Sequence, residues 1–433
     1  MTVEALELSI NLVWVMLGAF LVFFMHTGFA MVEAGFTRSK NAVNILMKNF
    51  ITISLGGIVY FFAGYAIMFG KSVNGMVGFS GFALQGVEDI AFFVFQAMFV
   101  ATCATIISGA VAERTNIFAY IAIVIVMTLF IYPVVGHWVW QGDGWLTSLG
   151  FIDFAGSTVV HLTGAVAAFV AAAMIGPRIG KYTGKRVNVI PGHSIPLGAL
   201  GVFILWLGWF GFNGASTLAA DPASVPGVIA NTFLAASAGV FVTAMYTKFR
   251  YGYMDGSLTL NGALAGLVSI TAGAANLSMI GALVAGAIAA PILVEGVRFI
   301  DSKLRVDDPV GAVTVHGFCG IWGTMAVGLL DTANGLFYSG SASLLGIQAI
   351  GIVAVIAWTS ITVFISLSVI KLFIPLRVPQ AEEIAGLDTI EHGANAYEFQ
   401  DSFKGVQRSG SFAERLTTLG NQQNASNSHL RKV

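Results

Sequence analysis

The stretches Asp153-Phe-Ala-Gly-Ser-Thr-Val-Val-His161 and Asp308-Pro-Val-Gly-Ala-Val-Thr-Val-His316 repeat one pattern at two places in the chain. Each begins with an aspartate, has a glycine three residues later and a histidine eight residues later, and leads into an apolar segment. Aspartate is a favourable helix N-cap, and proline, present here as Pro309, is favourable at the first helical position. The pattern therefore predicts that each stretch opens a helix, with Asp153 and Asp308 as caps.

If the helices that begin at the two stretches cross a membrane, the spacing predicts how deep in the membrane each histidine lies. Eight helical residues rise about 12 Å, whereas half of a hydrocarbon core is roughly 15 Å thick. We therefore expect His161 and His316 near the middle of the membrane. An ionisable residue at that depth is costly, so both histidines are candidates for a functional site.

The composition indicates a membrane protein. Of the 433 residues, 56% are hydrophobic and only 10% are charged, against about 25% charged residues in soluble domains. The net charge of −1 gives no sign of a nucleic-acid partner. The start of the chain carries Glu4 and Glu7 but no Lys or Arg through Ser9, so we expect no cleaved signal peptide. The only cysteines, Cys103 and Cys319, lie in apolar segments and are expected to be packing residues.

Eleven apolar stretches are long enough to cross a membrane. They cover approximately residues 8–33, 42–69, 91–112, 116–138, 154–176, 196–214, 229–249, 257–275, 279–300, 309–330 and 345–374. Residues 1–374 are thus predicted to form a membrane domain. Residues 375–433 form a predicted cytoplasmic tail, and no structure is expected for its polar end at 409–433.

Basic residues cluster after the odd-numbered spans, and Lys71 is the one exception. Since basic connections mark the cytoplasmic side, the pattern places the N-terminus outside and the C-terminus inside a cytoplasmic membrane. The residues counted are Arg38, Lys40, Lys48, Arg114, Arg178, Lys181, Lys185, Arg186, Lys248, Arg250, Arg298, Lys303, Arg305, Lys371 and Arg377.

The two histidine stretches lie on spans 5 and 10, five spans apart. An odd offset inverts a repeat in the membrane, so the histidines approach the midplane from opposite faces. The predicted fold class is an all-α polytopic membrane protein with eleven transmembrane helices, arranged as an inverted 5+5 repeat plus an eleventh helix.

Three interpretations of His161 and His316 follow from the residues alone. They are unrelated polar residues that each bond a neighbouring helix, ligands of a metal, or a pair that lines a narrow apolar path. A metal such as zinc needs three or four ligands, and the spans offer few near the midplane. Neutral imidazoles both donate and accept hydrogen bonds, so a pair could relay protons or bind a small polar solute.

Aromatic residues cluster near one end of spans 3 and 6 and before span 5. Phe99 belongs to span 3, the run Trp206–Ser216 ends span 6, and Trp140 precedes span 5. Such rings can form a lipid-facing belt or pack against one another. They can also form a cage that binds a desolvated cation, with the Ser216 hydroxyl as an acceptor.

Several motifs, taken in order, resemble those of the ammonium transporter family (Amt/Mep/Rh), in particular its Amt branch. The resemblance extends from span 1 to about residue 400. The motifs are Gly109-Ala-Val-Ala-Glu-Arg114, Asp153 to Ser157 with Val160-His161 and Gly176-Pro-Arg178, Gly208-Trp-Phe-Gly-Phe-Asn213, Asp307-Asp308 with Val315-His316-Gly317, and Gly386-Leu-Asp388 with His392-Gly393. The stretch with Gln141, Asp143 and Trp145 departs from the family, which often has a Gly-rich run there.

The resemblance implies roles for individual residues. Trp140 and Ser216 would recruit ammonium on the outer side, with Phe99 as an aromatic wall, and Phe99 with Phe212 would form a gate. His161 and His316 would be the twin histidines of an ammonia pore. Further implied residues are Asp153 beside the recruitment site, the supporting pore residues Trp209 and Tyr132, and the structural cap Asp308.

The function implied by the resemblance is ammonium transport in nitrogen metabolism, by deprotonation outside and conduction of ammonia through the pore. An ammonium sensor on the same fold remains an alternative, as does a membrane enzyme with Asp/His metal chemistry. A neutral gas channel is a variant of transport, and the Trp140 and Ser216 site argues against it. The resemblance also implies a homotrimer and a PII-type regulatory protein at the cytoplasmic face. No cofactor, metal or enzymatic activity is expected.

Overall fold

The protein, described here by a computed structural model for residues 2–397, is built from eleven apolar helices. All but α8 are long and apolar enough to cross a membrane, and α8 is a shorter apolar helix. The helices are α1 (Val3–Phe36), α2 (Ser39–Phe69), α3 (Ile90–Ala110), α4 (Ile117–Leu149), α5 (Ser157–Ile175), α6 (Ile195–Thr217), α7 (Val225–Tyr251), α8 (Gly256–Thr271), α9 (Met279–Leu304), α10 (Val313–Leu330) and α11 (Ser343–Phe373). The predicted all-α membrane fold is confirmed.

Short elements fill some of the connections. Two antiparallel hairpins pair Ser72–Val73 with Val77–Gly78 and Tyr182–Thr183 with Arg186–Val187. A single helical turn, Leu336–Ser339, precedes α11. Two short helices follow α11, namely α12 (Gln380–Ala385) and α13 (Leu387–His392). The predicted unstructured end at 409–433 lies outside the described residues.

The two histidine-bearing helices begin later than the sequence predicts. Helix α5 begins at Ser157 and α10 at Val313, rather than near 154 and 309. The expectation that Pro309 occupies the first helical position is wrong, because Pro309 lies in a turn four residues before α10. The residues between each aspartate and its helix form a non-helical turn instead of the first helical turn.

Both histidine-bearing helices start with a π-helical turn. These turns are Ser157–Leu162 and Val313–Phe318, and they contain His161 and His316 respectively. A π-helical turn inserts an extra residue into the helix and is frequent at functional sites. The two repeated stretches of sequence therefore also share an uncommon backbone conformation, the π-helical turn.

Helices α1 and α6 pack unusually closely through glycines. A Cβ atom on Gly35 would lie 2.5 Å from the backbone nitrogen of Gly198, and one on Gly201 would lie 2.5 Å from that of Val32. Small residues allow backbones to approach in a membrane, where helix association depends on van der Waals packing. This contact fixes the position of α6, which carries the aromatic residues of the candidate site.

Candidate functional site

The aspartates of the repeat bind the backbone at the start of each histidine-bearing helix. The Asp153 carboxylate accepts hydrogen bonds from the N–H groups of Gly156, Thr158 and Val159 at 2.8 to 2.9 Å. Burial raises the pKa of this carboxyl to about 6, although the backbone hydrogen bonds act to lower it. The carboxylate thus stabilises the turn that orients α5.

Asp308 does the same for α10. Its carboxylate accepts from the N–H groups of Val310, Gly311 and Val313 at 3.3, 3.0 and 2.7 Å. Both turns require a glycine with positive φ, +114° at Gly156 and +78° at Gly311, which is strained for other residues. The repeated spacing of aspartate and glycine in the sequence therefore encodes a repeated cap.

The structure brings the two histidines into contact. Nδ1 of His161 lies 3.2 Å from Nδ1 of His316, and the two rings stack with their planes 18° apart. Both side chains are buried. In residues 2–397, no group of three or more His, Cys, Asp or Glu could hold a metal ion. The contact is the one that a histidine pair along a narrow path requires.

A column of stacked rings continues from the histidine pair. His161 stacks on Phe212 with ring centroids 5.6 Å apart, and Phe212 stacks on Phe99 at 4.1 Å. Trp209 lies alongside, with its ring 5.0 Å from that of His161. All of these rings are buried, so the aromatic residues form a closed apolar plug beside the pair rather than a lipid-facing belt.

Trp140 lies at the far end of this column. Its ring packs edge-on against Phe99 at 6.0 Å, and its indole N–H donates to the backbone oxygen of Asp153 at 2.7 Å. The cap of α5 and the tryptophan are therefore positioned together. The unusual stretch Gln141–Gly144 after Trp140 is a turn, in which Gln141 accepts from the backbone of Asp143 at 2.7 Å.

Two further predicted site residues have different surroundings. The Ser216 hydroxyl donates to the backbone oxygen of Phe212 at 2.7 Å, one helical turn away, which leaves its oxygen lone pairs able to accept. Ser216 is half-buried, whereas Tyr132 is fully buried. The Tyr132 hydroxyl has no hydrogen-bond partner among the described residues.

Buried charges connect the two halves at the end where Asp308 lies. The Arg178 guanidinium, which follows α5, makes two hydrogen bonds to the Asp307 carboxylate at 2.8 and 3.0 Å and a third to Glu113 at 3.1 Å. Burial acts to raise the pKa of Asp307, but the hydrogen bonds and charge of Arg178 outweigh it and lower that pKa to about 2. This ion pair joins the end of α5 to the start of α10.

Sequence reasoning missed a buried polar cluster between α1, α2 and α3. Lys48, which the charge pattern assigns to a cytoplasmic connection, is fully buried inside α2. Glu33 of α1 is also buried and accepts a hydrogen bond from Ser108 of α3 at 2.7 Å. The signal available in the sequence was the presence of Glu33 and Lys48 within predicted apolar spans.

Together, the fold and the site define a polytopic helical membrane protein with a buried histidine pair sealed on one side by stacked aromatic rings. A model of the Ammonium Transporter Family matches residues 13–397. The chain is 41% identical over 417 residues to ammonium transporter Amt2 of Archaeoglobus fulgidus, covering 90% of this chain and 89% of that protein. It is also 41% identical over 400 residues to a putative ammonium transporter of Synechocystis, covering 89% and 88%.

Comparison with solved structures leads to the same family. The chain is similar to a structure described as a sensor Amt protein, with a TM-score of 0.87 and 37% identity over 90% of this chain and all of that one. It is also similar to Saccharomyces cerevisiae Mep2, with a TM-score of 0.82 and 27% identity over 91% and 92% of the two chains. The chain belongs to the ammonium transporter family. Ammonium transport across a membrane is the function that its named relatives support, and none of the relatives described here is named as an enzyme.

Proposed function

We propose that the chain moves ammonium across the cytoplasmic membrane by conducting it as ammonia past His161 and His316. Ammonium is recruited outside at Trp140 and Ser216 and gives up a proton near Phe99. Ammonia then passes the histidine pair and is protonated again inside. The observation that carries this proposal is the contact of the two buried histidines at the end of a stacked aromatic column.

Selectivity follows from the apolar nature of this path. Potassium and ammonium have similar size and charge, and a bare charge is costly to bury in an apolar environment. Ammonium can release a proton and continue as a neutral molecule, whereas potassium cannot. Neutral imidazoles can exchange hydrogen bonds with ammonia as it passes. Two adjacent imidazoles resist double protonation because like charges repel strongly in a low dielectric.

The outer recruitment site rests on the surroundings of Trp140 and Ser216. The indole N–H of Trp140 is engaged by Asp153, so the ring is held in place, and the faces of such rings attract cations. The Ser216 hydroxyl donates to the backbone and can therefore accept from an ammonium N–H. Asp153 supports this site through the position it gives Trp140.

The test is current recording from proteoliposomes after an ammonium concentration jump. In the variant His161→Ala/His316→Ala we expect the ammonium current to fall by roughly tenfold or more, or potassium to be conducted as well, because the polar partners of ammonia are lost. A double variant with wild-type ammonium current and wild-type exclusion of potassium would refute the central role of the pair. Glu7→Gln, an exposed change at the start of α1, serves as the control.

An ammonium sensor is the second candidate function. The observation in its favour is the similarity to the structure described as a sensor Amt protein. The same current recording separates the two functions. A folded protein that binds ammonium but carries no current would support the sensor, whereas a sustained current supports the transporter.

We further propose that the protein is a homotrimer with one pore per subunit and that a PII-type protein binds its cytoplasmic face. Both proposals rest on family membership. Native mass measurement in detergent would test the trimer. A pull-down with a PII-type protein, with and without 2-oxoglutarate and ATP, would test the regulator, and capture that is the same with an unrelated trimeric protein would count against it.

A further inference from the structure

A small cavity lies next to His316 on the side away from the aromatic column. Its volume is about 20 Å³, enough for one water molecule or one ammonia. The lining is almost entirely apolar, and its polar members are Glu33, Asn261 and His316. Among the described residues, Glu33 is the only carboxyl group that lines this cavity. A solute that enters this cavity from the histidine pair therefore reaches a space that Glu33 lines.

The Glu33 carboxylate is bound at one oxygen only. Its Oε2 accepts from the Ser108 hydroxyl at 2.7 Å and from the Asn49 amide at 3.3 Å. Both of these bonds are to Oε2, and no hydrogen bond from the described residues 2–397 is directed to Oε1. The side chain is 2% exposed, so the free oxygen is not solvated by bulk water. One oxygen is thus fixed by the protein while the other is left available to a ligand.

A buried cation accompanies the carboxylate. Lys48 is fully buried, its charge interacts favourably with Glu33, and its Nζ has no hydrogen-bond partner in residues 2–397. Nζ lies 5.5 Å from the centre of the Tyr120 ring, where the ring face attracts a positive charge. Lys48 therefore offsets the negative charge that appears on Glu33 when Glu33 loses a proton. This arrangement allows Glu33 to alternate between its neutral and ionised forms.

We propose that Glu33 is the acid that returns a proton to ammonia after ammonia passes His316. The inference rests on the proposed function and extends it to the inner end of the path. The O–H bond of neutral Glu33 breaks as an N–H bond forms on the lone pair of ammonia, which gives ammonium and a carboxylate. The carboxylate regains its proton from the histidine pair through the molecule of water that the cavity can hold. That proton is the one released from ammonium outside, so atoms and charge balance.

A purely structural role makes a different prediction. Glutamine is close in shape to glutamate, and its amide oxygen can accept the same bonds from Ser108 and Asn49. Glu33→Gln therefore keeps a structural contact but cannot donate a proton as an acid. Because the variant also removes the charge that faces Lys48, uptake is compared only on protein shown to be folded.

The experiment measures uptake of radiolabelled methylammonium into proteoliposomes with a negative-inside membrane potential. Ammonia alone does not respond to the potential, whereas ammonia that moves with its proton does. We expect Glu33→Gln to reduce potential-driven uptake by about a hundredfold, the lower end of the range for general acid catalysis. The matched control is Glu7→Gln, the same exchange at an exposed position of the same helix, which should transport like the wild type.

If Glu33→Gln folds poorly, Glu33→Asp provides the test, because it keeps a carboxyl acid at this position. We expect part of the potential-driven uptake to remain in Glu33→Asp, and loss of all of it in a folded protein would overturn the proposal. A further variant, Glu33→Gln/Asn261→Asp, moves the carboxyl group to another residue that lines the same cavity. We expect this pair to regain a severalfold part of the lost uptake, although Asn261→Asp gives up a donor to the backbone of Val310. Gel filtration and thermal unfolding in detergent report on folding in each variant.

The outcomes distinguish this inference from the proposed function. Wild-type uptake in a folded Glu33→Gln protein overturns the role of Glu33 and leaves the proposed function standing. Wild-type protein that equilibrates methylamine without responding to the potential also overturns it, because no proton then follows through the pore. Wild-type protein that shows no uptake of any kind refutes the proposed function itself.

Discussion

Asp307 is the residue through which the two halves of the chain are tied together at their ends. Its carboxylate accepts three hydrogen bonds from Arg178, two from the guanidinium and one from the backbone N–H, and its backbone oxygen accepts from Arg114 at 2.7 Å. Asp307 is adjacent to Asp308, which caps α10. The ion pair therefore holds the cap of α10 against the end of α5, and through the caps it influences where the histidines meet.

Replacement of Asp307 by asparagine should destabilise the protein. Arg178 would keep Glu113 but lose its main partner, and breaking a buried ion pair costs about 3 kcal/mol or more. We expect a clearly lower melting temperature in detergent at pH 7. The control Asp143→Asn changes an exposed carboxylate and should melt like the wild type. An unchanged melting temperature for Asp307→Asn would mean that this ion pair does not hold the halves together.

The stability of the protein should depend on pH through the ionisation of Asp307. The folded pKa of about 2 lies below the ordinary value of 3.8, so ionised Asp307 stabilises the fold fully above about pH 4. That contribution, about 2 kcal/mol, is lost as the pH falls towards 2. We expect the wild-type melting temperature to fall more steeply below pH 4 than that of Asp307→Asn. Parallel curves for the two proteins would contradict this assignment.

The residues that the sequence alone identified share a local signature. Asp153, Gly156 and His161 recur with the same spacing as Asp308, Gly311 and His316, and the two caps and the matching depth of the histidines follow from it. The stack of Phe99 on Phe212 joins residues 113 positions apart in the chain, and spacing alone cannot place such a pair. The family resemblance supplied it. Glu33 and Lys48 were missed because a charge count along the chain treats Lys48 as a connection residue.

At the scale of helices, α13 completes the start of α2. The first turn of α2 has no side-chain cap of its own, and the Asp388 carboxylate accepts from the backbone N–H of Asn44 at 2.9 Å. In return, the Asn41 side chain accepts from the backbone N–H of Leu387, also at 2.9 Å. A segment more than 340 residues away in the chain thus supplies the missing cap.

Replacement of Asp388 by alanine should loosen this contact. The loss of a helix cap costs about 1–2 kcal/mol, so we expect a modest fall in melting temperature. Limited trypsin digestion should also cut faster at Lys40, whose ammonium bonds the backbone oxygen of Glu383 at 2.9 Å. Glu382→Ala, in α12, is the control. Equal digestion rates for Asp388→Ala and Glu382→Ala would show that α13 is held by other contacts.

Element boundaries were predictable where composition changes and less so where the backbone is irregular. Helices α3 and α11 begin and end within a few residues of the predicted spans. The π-helical turns and the capped turns before α5 and α10 were not foreseen, because a hydropathy pattern reports only that a segment is apolar. Pro309 is a clear case, since its sequence context fits a first helical turn and the tertiary structure uses a capped turn instead.

At the scale of the whole molecule, the proposed orientation places the N-terminus outside and the C-terminus inside. The two native cysteines are fully buried, so an introduced cysteine gives the main labelling signal. Glu7 lies at the exposed start of α1, and Lys371 at the exposed end of α11. In intact cells we expect a membrane-impermeant maleimide to label Glu7→Cys but not Lys371→Cys until the cells are permeabilised. Labelling of Lys371→Cys but not of Glu7→Cys in intact cells would place the N-terminus inside and would contradict the proposed orientation.

The histidine pair needs one helix from each half of the chain. Helices α5 and α10 each contribute one histidine, and neither half contains a complete pair. The candidate site therefore exists only when both halves are packed, which agrees with the buried ion pair and the glycine contacts that join them. Sequence parity predicted this arrangement, but the direct contact of the two rings is seen only in the structure.

The Nδ1 atoms of His161 and His316 face each other at 3.2 Å, and this has a consequence for timing. Only one of the two atoms can carry the hydrogen between them, so one ring donates and the other accepts. If one ring carries its hydrogen at Nδ1, the other must carry its hydrogen at Nε2. The pair therefore has two states, which differ in which ring is the donor. A proton that travels through both rings converts one state into the other. Under the proposed function, a second proton can follow in the same direction only after the pair has returned to its first state.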